Sequence, residues 1–134
     1  MERKTFLSKS PEETIDLGRE IGSSLKEGSV LALVGELGSG KTVFAKGVAL
    51  GLRIKDEVVS SSFVIMKEYK EGRLPLFHFD FYRLEKPFEV IELGFDEYLE
   101  RKGVVLIEWA DKFHSLLPPS VSYTHLRAHE TVLD

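Results

Sequence analysis

The 134-residue sequence has no cysteine, no asparagine and no glutamine, and only two methionines. Without cysteine there can be no disulfide, no thiolate nucleophile and no zinc–thiolate site. Without side-chain amides, guanine recognition through an N-K-x-D motif is excluded, as is a water-orienting glutamine. Depletion of these thermolabile residues together is also a habit of proteins from hot environments. Long apolar runs are missing as well, with nothing near the roughly 18 residues of a membrane span. The opening Met1-Glu2-Arg3-Lys4 leads into no signal-type apolar segment, which argues for a cytoplasmic protein. Nor is there an excess of positive charge. Eighteen basic against 22 acidic residues give a net charge of −4, which speaks against a dedicated nucleic-acid binder. What remains, 43% hydrophobic and 30% charged, is the composition of one globular domain.

No repeat, low-complexity stretch or linker divides the chain. Thr5–Ser8 reads as a short first strand. Ser10-Pro11-Glu12-Glu13 then supplies an N-cap, a proline at the first helical position and a capping-box Glu. Ile15, Leu17, Ile21 and Leu25 form the apolar stripe of the helix that follows, with Gly28 as its expected stop. Ser29–Val34 is a continuous apolar strand of the type buried on both faces of a parallel sheet. A glycine-rich turn leads into a second helix over Lys41–Leu52. A β-rich run at Phe63–Met66, a turn at Lys70–Arg73 and a strand over Leu74–Asp80 predict a β-hairpin. Pro87–Arg101 reads as short helices interrupted near Gly94, and Gly103–Trp109 as another buried strand. The alternation predicts an α/β fold, a largely parallel sheet flanked by helices.

The strongest chemical signal is Gly35-Glu36-Leu37-Gly38-Ser39-Gly40-Lys41-Thr42, a full G-x-x-x-x-G-K-[ST] between a buried strand and a helix. In such a loop, glycines let backbone N–H groups converge on phosphate oxygens. The lysine meets the β- and γ-phosphates, the hydroxyl ligates Mg²⁺, and the helix N-terminus adds positive charge. A dinucleotide-type G-x-G-x-x-G fails, because Val43 stands where its third glycine belongs. Phosphoryl transfer also needs carboxylates at neighbouring strand ends. Glu108 follows four apolar residues as a Walker B acid does, and Asp80 ends Leu76-Phe77-His78-Phe79. Either acid could instead be a solvated strand end. His78 shares a strand face with Asp80 and reads foremost as a hydrogen-bonded structural histidine. Trp109 suits the core or the rim of the site equally.

These motifs together resemble a known family. Ser10-Pro11-Glu12-Glu13-Thr14 with Leu17-Gly18 is similar to its S-x-E-x-T-x-x-L-G opening, and residues 35–42 to its GDLGAGKT loop. His78-Phe79-Asp80-Phe81-Tyr82-Arg83-Leu84 resembles its HFDLYRL signature, Leu93–Tyr98 its LGxxEY segment, and Glu108-Trp109 its E-W pair. The family is TsaE (YjeE), the ATPase component of bacterial threonylcarbamoyl-adenosine tRNA modification, and the resemblance spans about residues 5–119. It implies a P-loop NTPase-like fold, ATP and Mg²⁺ as ligands, slow hydrolysis, and a TsaB–TsaD heterodimer as partner in modifying the adenosine at tRNA position 37. It places the phosphates on Gly38, Ser39, Gly40, Lys41, Thr42 and Val43, Mg²⁺ on Thr42 and Glu108, a water- or metal-organising role on Asp80, and adenine near Pro11. One departure stands out: the family's S-P-T-F segment reads Ser60-Ser61-Ser62-Phe63, without the rigid proline.

The rival readings are a small-molecule P-loop kinase and a nucleotide-binding module without turnover. The first lacks a visible lid and acceptor insert, and its arginines are scattered singly; the two strand-end acids weigh against the second. A catalytic domain is expected over residues 1–121. Residues 122–134 resemble a peptide found at the ends of unrelated assembled genes, and are expected to be a foreign or disordered tail replacing the family's C-terminal strands. His125 and His129 are four residues apart, but no third metal ligand accompanies them.

Overall fold

A computed structural model describes residues 2–35, 41–58 and 65–128. Six strands, β1 (Glu2–Ser8), β2 (Val30–Val34), β3 (Met66–Tyr69), β4 (Leu76–Asp80), β5 (Val104–Glu108) and β6 (Ser122–Ala128), form one sheet in the order β1-β6-β2-β5-β4-β3. All neighbours pair parallel except β3 and β4, which form the expected antiparallel hairpin. The central strands lie between two helical layers, so both faces of β2, β5 and β4 are dry. That is why β2 and β5 read as unbroken apolar runs.

On one face lie α1 (Pro11–Ser24) and α2 (Lys41–Gly51). Ser10 Oγ accepts the Glu13 N–H at 3.1 Å, and Pro11 presets the first helical turn. The helix ends earlier than Gly28, at a Leu25 C-cap in extended conformation. Its last carbonyls are closed from outside: Arg73 Nη2 donates to the oxygens of Gly22 and Leu25 at 2.9 Å and of Ser23 at 3.4 Å. A cation there also complements the negative end of the helix. Gly28, at φ +88°, turns the chain into β2, and its N–H reaches Gly103 O at 2.8 Å.

The two helices meet through glycine. A Cβ on Gly18, Gly22, Gly47 or Gly51 would lie 2.3–2.4 Å from a carbonyl oxygen of the other helix. Ile15 and Gly18 meet Gly47, and Gly22 meets Val48. Position therefore rises along both helices together. They run side by side in one direction, and their N-termini, Pro11 and Lys41, share one end. The predicted stripe of Leu17, Ile21 and Leu25 is only partly buried, beside the core of Leu31, Leu33, Phe44, Val48, Leu76 and Leu106. The face that α1 buries fully is Thr14, Gly18 and Gly22.

The opposite face carries α3 (Pro87–Glu92), α4 (Phe95–Glu100) and a kinked 3₁₀ segment, Ala110–Leu116. Gly94 at φ +76° separates the two helices where the sequence places the break. Phe79 and Phe81 of the β4 region meet Phe95 edge-on, with ring centroids 5.1 and 5.5 Å apart, and Phe113 closes on Phe81 at 5.9 Å. Because side chains alternate along a strand, Phe77 and Phe79 enter this aromatic layer while His78 and Asp80 turn toward α2.

The region beyond Val121 corrects an expectation. Residues 122–128, read as part of an undocked tail, form β6 and pair with both β1 and β2. Tyr123 and Val121 join the aromatic layer, whereas Leu126 packs with the α2 side. The buried positions of β6, Tyr123, Thr124 and Leu126, include neighbours on both faces and do not alternate with polar ones, so the segment gave no strand signal. Residues 129–134, with His129, lie outside the described residues, as do Phe63 and Val64 of the predicted β-rich run; β3 begins at Met66.

Candidate nucleotide site

The C-terminal ends of β2, β5 and β4 lie side by side, the position at which α/β sheets bind ligands. β2 ends at Val34, and α2 opens with Lys41, Thr42 and Val43, so the strand, loop and helix follow in the predicted order. Gly38, Ser39 and Gly40 lie outside the described residues, as do Ser60–Phe63. Asp80 and Glu108 are register partners across β4 and β5, which sets the two backbones about 4.8 Å apart. Both carboxylates are buried, and both point to the α2 face.

Lys41 stands among these acids. Its side chain is buried, Nζ donates to Gly35 O at 2.8 Å, and the ammonium lies 3.7 Å from the centre of the Trp109 ring. Burial holds its pKa below the ordinary lysine value. The negative charges of Glu108, Asp80 and Asp111, in that order, pull the other way. A buried ammonium beside an indole, with carboxylates near enough to feel its charge, is a positive centre that a phosphate group can engage at close range.

The Trp109 backbone makes this arrangement possible. At φ 60°, ψ 33° it occupies the left-handed region, turning the chain sharply from β5 into the 3₁₀ segment. Such a conformation costs a non-glycine residue about 1–3 kcal/mol and gathers at functional sites. The turn lays the indole over Lys41 and 5.0 Å from the exposed Tyr82 ring. Trp109 therefore flanks the site, which the sequence leaves undecided. Asp80 Oδ1 accepts the Tyr82 N–H at 2.9 Å, fixing the bend after β4. Phe81 N–H donates to Glu108 O at 3.1 Å and holds β4 to β5 beyond the last register pair. Lys112 Nζ donates to Tyr82 O at 2.7 Å and ties this rim to the 3₁₀ segment.

His78 is hydrogen-bonded, as expected, and its partner is Glu108. Nε2 lies 2.8 Å from Oε2, with the His78 side chain out of contact with solvent and that of Glu108 buried. The sequence signal was present: His78 and Asp80 share a face, and Glu108 stands opposite Asp80. Pro11 is exposed at the first position of α1, at the same end of the helix pair as Lys41. Among the described residues no group of three or more His, Asp or Glu could hold a metal by itself. None of the described helices is long and apolar enough to cross a membrane.

Comparison with known proteins shows the family. A family model described as "Threonylcarbamoyl adenosine biosynthesis protein TsaE" matches residues 8–132. The chain belongs to the TsaE family. It is 45% identical over 118 residues to the tRNA threonylcarbamoyladenosine biosynthesis protein TsaE of Bacillus subtilis, covering 88% of this chain and 73% of that protein. To the TsaE protein of Treponema pallidum it is 42% identical over 112 residues, covering 84% and 82%. Among solved structures, Bacillus subtilis YdiB superposes with a TM-score of 0.70 at 43% identity, covering 83% of this chain and 67% of that one. The TsaE match extends through β6.

Proposed function

We propose that the chain binds Mg-ATP and hydrolyses it slowly, acting as a cytoplasmic switch on a TsaB–TsaD heterodimer during tRNA N6-threonylcarbamoyladenosine formation. One observation carries this reading. The first residue of α2, a lysine, is buried and feels the charge of two carboxylates that end adjacent parallel strands, and it closes a G-x-x-x-x-G-K-T sequence that begins where β2 ends. The relatives above are named for tRNA threonylcarbamoyladenosine biosynthesis, which supports the pathway.

In this reading Lys41 exchanges its contacts with Gly35 O and the Trp109 ring for the β- and γ-phosphates. Its buried charge offsets theirs without first shedding a water shell. Thr42 and Glu108 offer hard oxygen donors on neighbouring elements. This suits Mg²⁺, which takes one or two protein ligands and completes its shell with phosphates and water. Held by Thr42 and Glu108, Mg²⁺ would supply positive charge to offset that of the phosphates. Asp80, anchored by its bond to Tyr82 N–H, orients the attacking water from the adjacent strand. Without a water-positioning glutamine, turnover in the isolated chain is slow. A partner that presses on the Tyr82–Trp109 rim can then govern it.

The test is calorimetric titration of ATP into the parent and Lys41→Ala, each with Mg²⁺ and with EDTA. Binding by the parent that strengthens with Mg²⁺ and weakens at least tenfold in the variant supports the proposal. Equal affinity in both proteins would show that the loop is not used as read. Transfer of the γ-phosphate to a small acceptor would favour the kinase reading, and tight binding with no hydrolysis under any partner condition would favour the binding module.

A further inference from the structure

His78 is a costly residue for its place. It lies in the centre of β4, fully buried, between Phe77 and Phe79 in sequence and opposite Leu106 in register. Its Nδ1 is buried without a hydrogen-bond partner. A leucine or phenylalanine there would avoid burying an unsatisfied polar atom. A fold that breaks a packing rule in its core usually does so where function requires it. The imidazole makes one bond, from Nε2 to Glu108 Oε2 at 2.8 Å. With Glu108 ionised, its carboxylate only accepts, and Nε2 then carries the proton and donates.

That bond reaches diagonally across two strands. His78 faces Leu106, and Glu108 lies two residues further along β5, so the ring points along the α2 face toward the ligand end of the sheet. A glutamate at a strand terminus otherwise has several staggered rotamers. A ring wedged in the core and bonded to Oε2 selects one of them. It also supplies a donor to a carboxylate that has left water.

We propose that His78 is a positioning residue, whose Nε2–H fixes the Glu108 carboxylate in the orientation that the magnesium-dependent part of nucleotide binding requires. This rests on the Mg-ATP reading above and adds a residue to which that reading gives no role. Hydrogen-bond donors behind a metal-binding carboxylate typically matter about 10–100-fold in metal affinity.

The experiment measures ATP affinity with Mg²⁺ and with EDTA for the parent, His78→Leu, His78→Gln and His78→Asn, after confirming folding by circular dichroism. Leu fills the space without a donor. Gln carries an amide NH₂ about as far as Nε2, and Asn only about as far as Nδ1. The expected result is a loss of roughly tenfold or more in the magnesium-dependent gain for Leu and Asn, recovery of most of it by Gln, and EDTA affinities within about twofold of the parent. If Leu does not fold, the Gln–Asn contrast decides alone. Equal magnesium gains in all variants, an equal loss with and without Mg²⁺, or Gln no better than Asn would overturn the proposal. A parent without any magnesium-dependent binding would instead overturn the Mg-ATP reading, and the positioning role with it.

Discussion

Substituting Gly47 with alanine tests the coupling between the helix packing and the site. The added methyl carbon would stand 2.3 Å from Ile15 O and 3.0 Å from both Arg19 N and Gly18 Cα, all backbone atoms that no rotamer change can move. Restoring ordinary contact, about 3.4 Å or more, requires α1 and α2 to separate by about 1 Å. Overpacking of this kind costs typically about 1–3 kcal/mol, and here the obstacle is rigid on three sides. Helix propensity favours alanine by about 1 kcal/mol, leaving a net loss of about 2–3 kcal/mol if the packing strain lies at or above the top of that range. With an unfolding entropy of about 2.1 cal/mol/K per residue, a domain of this size loses about 7–11 °C in Tm. The same shift moves the helix that carries Lys41 and Thr42, so ATP affinity should fall as well. Thermal unfolding at 222 nm and ATP titration measure the two effects. Leu50→Ala, on the exposed side of α2, serves as control and should cost less than about 1 kcal/mol. A Gly47→Ala protein with unchanged or raised Tm would refute the packing argument, because propensity alone would then be acting.

Arg73→Ala should lose about 1–2 kcal/mol in denaturant unfolding, since the carbonyls of Gly22 and Leu25 lose their cationic donor; no change would mean that water caps α1 equally well. Lys41→Met should weaken ATP binding at least tenfold while leaving Tm unchanged or raised. Burial lowers the folded-state pKa of Lys41, so between that value and the ordinary lysine value the unfolded chain binds more protons. Parent stability should therefore rise with pH through that window, and the rise should be missing from the variant. Deleting residues 122–134 removes β6 from between β1 and β2 and exposes the partners of Tyr123 and Leu126, and should cost several kcal/mol or abolish folding. A truncated protein with the parental Tm would return these residues to the status of a tail.

Much of this was legible because the relevant signals are local. Apolar runs marked β2, β4 and β5, Ser10 and Pro11 marked the start of α1, and Gly94 marked a break that needs a positive φ. The candidate residues Lys41, Asp80 and Glu108 carry local signals too: Lys41 closes a glycine-rich motif that begins where a buried strand ends, and Asp80 and Glu108 each end a buried strand. What the sequence hid depends on partners far along the chain. Gly18 and Gly22 look like weak points in a helix until Gly47 and Gly51 are set against them. Arg73 looks like a hairpin charge until its guanidinium reaches α1, about fifty positions earlier. The role of Trp109 needs its left-handed backbone, which no neighbouring residue announces. β6 hid because its buried residues, Tyr123, Thr124 and Leu126, do not alternate with polar ones, and its Ser, Thr and His positions resemble a loop.

The central claim is that Lys41, Asp80 and Glu108 form one ATP-hydrolysing centre controlled by a partner. It is tested most directly by measuring phosphate release from Mg-ATP with and without purified TsaB–TsaD, for the parent, Asp80→Ala and Glu108→Ala. The account predicts slow release by the parent alone, clear stimulation by the heterodimer, and a loss in both variants that is larger in turnover than in ATP affinity. Variants that hydrolyse ATP at the parental rate in the presence of the heterodimer would contradict it.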